Sequence, residues 1–156
     1  MRTVLVLTVS LLLFSCSPDT DDERIGISGD SFLIFGHFFG ECIGEGCVET
    51  FKLTESQLLE DTIDDYSGQQ LNFEVLSDAL YQQVRDLPDF FPLELLNEKE
   101  AVIGCPDCAD GGGLFIVYSK NGTQQSWRID QSKGNVPVYL HDFIDQVNAR
   151  IALINQ

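Results

Sequence analysis

Apolar and polar residues follow two different periods along this chain, and each change of period marks a new element. Residues 31–40 (SFLIFGHFFG) are dense in phenylalanine and carry no charge at neutral pH, the pattern of a strand covered on both faces. Residues 48–53 (VETFKL) alternate apolar with polar, as a half-covered strand does. Thr54-Glu55-Ser56-Gln57 has the spacing of a capping box and predicts a short helix through about Asp61. Residues 71–76 (LNFEVL) alternate again. Ser77 is placed to cap a helix whose Leu80, Val84 and Leu87 share one stripe, which Pro88 stops. Pro92 can open another short turn carrying Leu93 and Leu96.

The strongest local signal is at 114–129, where LFIVYSK and TQQSWRI flank Asn121-Gly122, the preferred pair for a type I′ hairpin turn. Pairing Lys120 with Thr123 sets Tyr118 opposite Gln125, Ile116 opposite Trp127 and Leu114 opposite Ile129. That register puts Leu114, Ile116, Trp127 and Ile129 on one side, the side expected to face the core. Beyond Pro137, apolar residues recur at Leu140, Ile144, Val147, Ile151 and Ile154. Their steps of three and four draw one stripe on a helix of about five turns, which should pack on the hairpin. Strands, short helices, a hairpin and a final helix make an α+β fold with a mainly antiparallel sheet, expected as a single domain over residues 29–156.

The first residues follow another rule. Arg2 precedes an almost unbroken apolar run from Thr3 to Phe14, too short to span a bilayer as a helix, and then Ser15-Cys16. Residues 1–15 therefore read as a secretory signal. Leu13-Phe14-Ser15-Cys16 resembles the lipobox of bacterial lipoproteins, with Phe14 standing where a small or β-branched residue is usual. The resemblance implies lipid (diacylglycerol, with palmitate-type acyl chains) on the Cys16 thiol and loss of the leader. Two or more acyl chains, each contributing about 0.8 kcal/mol per buried CH₂, hold a protein firmly to a membrane.

Residues 16–28 then form an acidic, polar tether that includes Asp19, Asp21, Asp22 and Glu23. Such a tether resembles the export signal of Bacteroidota lipoproteins that reach the outer face of the outer membrane. It implies a lipid-anchored location there, facing the cell surface. The net charge is −16, and loss of Arg2 with the leader makes it −17. A balance this acidic repels nucleic acid and anionic head groups.

The remaining cysteines fall as Cys42-Ile-Gly-Glu-Gly-Cys47 and Cys105-Pro-Asp-Cys108. Three readings stay open. Oxidation would give disulfides, favoured in an exporting compartment. Chain entropy assigns about 2 kcal/mol to each small local loop and roughly 4 to a bond between the two pairs. A C-x₄-C and a C-x₂-C brought together could instead hold zinc, with His37 a weak additional ligand. Cys105 and Cys108 could also exchange with another disulfide, although Ala-Asp-Gly-Gly-Gly follows them rather than a helix start.

Other chemistry is thin. His141 is spaced to pair with Asp145, Asp64-Asp65 reads as a solvated loop, and residues 111–113 read as a flexible lead into the hairpin. Asp61-Thr62-Ile63 resembles the short O-glycosylation sequon of exported Bacteroidota proteins. The usual hydrolase, zinc-protease and nucleotide signatures are absent. The chain as a whole resembles small Bacteroidota surface lipoproteins of uncharacterised function. The function expected is a non-enzymatic, lipid-anchored module with cysteine-stabilised loops that binds an unknown protein or ligand. Its rivals are a thiol-disulfide oxidoreductase, a zinc-binding module, and an inhibitor or immunity-type protein acting through the Phe-rich segment.

Overall fold

The structure is a computed structural model and describes residues 24–156. The leader, Cys16 and the tether through Glu23 lie outside the described residues. Seven strands form one sheet: β1 (Phe32–Phe38), β2 (Val48–Leu53), β3 (Leu58–Asp61), β4 (Phe73–Val75), β5 (Val102–Ile103), β6 (Gly113–Lys120) and β7 (Thr123–Asp130). Their order is β4-β3-β2-β1-β6-β7-β5, antiparallel throughout except where β5 joins β7. Two helices, α1 (Asp78–Val84) and α2 (His141–Ile154), complete an α+β fold.

The apolar run at 31–40 becomes the central strand, buried on both faces as is its neighbour β6. Leu33 and Phe35 are wholly buried under the helices, while Ile34 and Phe38 are buried on the opposite side. The helix-covered face joins Leu53, Leu58, Ile116 and Ile129 to Val84, Leu95, Phe143, Val147 and Ile151 in one core. Each such side chain contributes roughly 1.5–3 kcal/mol when fully buried. Phe91, at the centre of this layer, lies 5.4–6.1 Å from the rings of Tyr118, Trp127 and Phe143.

The hairpin register is the expected one: Lys120 faces Thr123, Tyr118 faces Gln125, Ile116 faces Trp127 and Leu114 faces Ile129. Asn121 (φ 53°) and Gly122 (φ 78°) are both left-handed, as a type I′ turn demands. The stripe on the last helix is also as expected, with Ile144, Val147 and Ile151 buried. Ser77 caps α1 through a bond from Leu80 N. The chain beyond α1 continues through a 3-10 turn, Leu87–Phe90, that contains Pro88. Pro92 precedes another, Leu93–Asn97.

The helix expected after Thr54 is not formed. Thr54 Oγ1 does accept from Gln57 N at 3.0 Å, the bond a capping box would make. Here it closes a tight turn between β2 and β3, and Leu58, fully buried, pairs with Leu53 instead of starting a helix. His141 also departs from expectation. Asp145 is paired with Lys133, and His141 Nε2 is buried without a hydrogen-bond partner.

Candidate functional site

The chain reaches β1 from one end of the sheet. Gly29 N donates to Glu55 in the β2–β3 turn (2.9 Å), and Phe32 stands opposite Ser119, next to the hairpin turn. β1 then runs its length to Phe38, where the other end begins. Both cysteine pairs lie at that far end, one following β1 and leading into β2, the other just before β6.

The sulfurs pair locally, Cys42 with Cys47 and Cys105 with Cys108. The first bond closes a loop pinned at its base. Phe39 N donates to Cys47 O at 2.8 Å, Cys47 N to Gly44 O at 3.2 Å, and His37 Nε2 lies 3.1 Å from Gly46 O. At the tip Ile43 is fully exposed. Cys47 is buried, whereas Cys42, Cys105 and Cys108 are exposed.

The second loop is organised around Asp107, held left-handed at φ 63°. Its carboxylate accepts from Gly40 N (2.8 Å), the Tyr66 hydroxyl (2.8 Å) and Gly112 N (3.2 Å), so it fastens the end of β1 to the segment between β3 and β4. Burial first, and then the bond to Asp107, push the Tyr66 phenol above its ordinary value. Just behind, Asp130 accepts from Cys105 N, Ser132 N and Asn135 Nδ2. Burial opposes its ionisation, yet the bonds from Asn135, Ser132 and Cys105 outweigh it and hold the carboxyl below the usual range.

Residues 62–72 fold over the sheet face away from the helices. Arg128 lies 3.6 Å from the centre of the Phe38 ring and donates to Tyr66 O, while Tyr66 meets Phe38 edge-on. Gly113 makes room for this arrangement, since a Cβ there would fall 2.3 Å from Phe38. Residues 111–113 are thus more than a flexible lead: Gly112 lies against Phe39 and Gly113 opens β6.

Asp64 is exposed, but Asp65 gathers the segment by accepting from the Ser67 hydroxyl and from Ser67, Gln69 and Gln70 N. The Ser67 hydroxyl, followed by the Gln70 amide, lowers its pKa to about 2. Thr62 is exposed, and its hydroxyl is engaged with Asn72.

His37 pairs with Glu49 at 3.1 Å, and Glu49 also accepts from Asn155 at the end of α2. A recess of about 460 Å³ beside it is lined by Glu49, Glu60, Asp61, Thr62, Asp64 and Asn155. Among the described residues, no three His, Cys, Asp or Glu side chains are placed to hold one metal ion, and no helix is long and apolar enough to cross a membrane. Ile43, Asp107 and Asp130 were not singled out by the sequence. Ile43 and Asp107 carried one visible signal, their positions between paired cysteines, and Asp130 carried none.

No protein-family model matches the chain, and no curated protein matches it.

Proposed function

We propose that this protein is an exported, lipid-anchored binding module of the outer membrane, attached through Cys16 and facing the cell surface. It recognises its partner with the end of the sheet that carries the two disulfide loops. The course of β1 carries this reading. The tether enters at one end of the strand and the loops lie at the other, seven residues or roughly 20 Å away at about 3.3 Å per residue. A lipid on Cys16 would thus be attached at the end of the sheet opposite the loops. Disulfides suit a module whose working surface is made of loops, because they hold it in one conformation without burying more apolar area.

The test is direct. The full chain, produced in a lipoprotein-processing bacterium, should fractionate with membranes and lose its leader, with acyl mass on Cys16. Cys16→Ala should be released. Recovery of the unmodified wild-type chain in the soluble fraction would end the reading.

Thiol exchange is the second reading, favoured by one observation: Cys105 and Cys108 are both exposed. Against it, the turn after Cys108 is a three-residue 3-10 segment with left-handed Ala109, which supplies no helix N-terminus to a thiolate. Reduction of a model disulfide, abolished by Cys105→Ser, would promote this reading over the first.

A further inference from the structure

Ile43 is at odds with the rest of the molecule. It is 103% exposed, more than any other large apolar side chain among the described residues, and it sits five positions after the end of β1, whose apolar side chains are largely buried. An exposed isoleucine on a floppy loop could fold back. This one cannot, because the Cys42–Cys47 bond closes the loop and the contacts at Phe39, Gly44 and Gly46 fix its base. An apolar group held out in one position loses little freedom when it is buried by a partner. That is the character of an interface anchor, a side chain that fills a pocket and sheds its water.

The surrounding charge restricts what can cover it. Residues 40–47 contain two acids and no base, and residues 105–112 again contain two acids and no base. Arg128, opposite Phe115 on β7, is committed to Phe38 and Tyr66. A second copy of this chain, net charge −16, or an anionic lipid surface would meet like charge at this end. We infer that Ile43 is the anchor by which the protein seats in an apolar pocket, rimmed by lysine or arginine, on a protein partner. The inference rests on the binding-module reading above.

Full burial of the isoleucine side chain corresponds to roughly 10- to 100-fold in affinity. A photo-reactive amino acid at position 43 of the full-length, membrane-attached chain should cross-link to a protein that the same probe at Val138, 79% exposed, does not capture. The cross-linked peptide should map to an apolar pocket bordered by Lys or Arg. With that partner purified, Ile43→Asp should weaken binding at least about tenfold, Glu41→Lys should weaken it too, and affinity should fall as salt rises.

Val138→Asp should bind as wild type, and thermal unfolding of Ile43→Asp should be unchanged because the side chain touches solvent alone. The same cross-links from both positions, a pocket without cations, or Ile43→Asp binding within about threefold of wild type would each overturn the inference. The binding measurements use soluble Cys16→Ala protein as well as the anchored chain. Failure of lipid attachment then leaves the result at Ile43 readable by itself.

Discussion

Replacing Asp107 tests whether the two cysteine loops are held as one unit. Asp107→Ala removes the acceptor of three hydrogen bonds, from Gly40 N, Gly112 N and the Tyr66 hydroxyl. Bonds to a charged acceptor contribute about 1.5–3 kcal/mol each, and the lower figure applies at a part-buried site where water can return to some donors. Allowing for that return, the bonds account for about 2–3 kcal/mol. A β-carbon without a polar side chain at φ 63° adds roughly another 1.

The expected loss is about 3–4 kcal/mol, a large part of the 5–15 typical of a domain. In urea unfolding with the disulfides intact, a slope of about 1–3 kcal/mol/M turns this into a midpoint lower by at least about 1 M. Asp107→Asn tolerates the same backbone and keeps one acceptor, so it should lose about half as much. Tyr66→Phe removes a single bond and should cost about 1 kcal/mol. Hydrogen exchange at Gly40 and Gly112 should accelerate in the alanine variant. A midpoint shift under about 0.3 M with unchanged exchange would show that Asp107 fastens nothing.

Three further outcomes follow from the same contacts. Phe91→Ala, at the meeting point of Tyr118, Trp127 and Phe143, should lose about 3–5 kcal/mol by denaturant unfolding and much of the near-ultraviolet circular dichroism. Gly122→Ala meets open space but keeps φ at 78°, so calorimetry should show a cost of only about 1–2 kcal/mol, all of it from the backbone. Asp130 and Asp65 ionise more readily folded than unfolded, which places their stabilisation above the ordinary carboxylate range. The melting temperature should therefore decline as pH falls from about 4 toward 2, and Asp130→Asn should flatten that decline.

The hairpin was legible to the individual residue pair because Asn121-Gly122 admits one turn type and strand alternation then leaves a single register. The final helix was legible because its stripe is long enough to exclude a strand. At Thr54 the sequence supplied the right local bond and the wrong element. A hydroxyl capping an amide three residues on serves a hairpin turn as well as a helix start, and burial of Leu58 beside Leu53 decided between them.

β5 escaped notice because two residues carry no period. The site was legible only as a cysteine count. Spacing set out the local pairing without selecting it, and nothing in the sequence shows that Asp107 reaches Gly40, 67 residues away. His141 was misjudged because helical spacing offers Asp145 a partner one turn back, whereas the fold brings Lys133 to it from the preceding loop.

The central position of β1 also governs the order in which the molecule can assemble. Phe32 is synthesised 87 residues before Ser119, which it faces in the sheet, so one edge of the most apolar strand stays open until most of the chain exists. Closing so long a loop is slow compared with the neighbouring hairpin, whose pairing is entirely local. A chain that emerges amino terminus first must therefore carry an unpaired, phenylalanine-rich edge through most of its synthesis. Its greatest exposure to aggregation comes before folding, when β6 has not yet arrived.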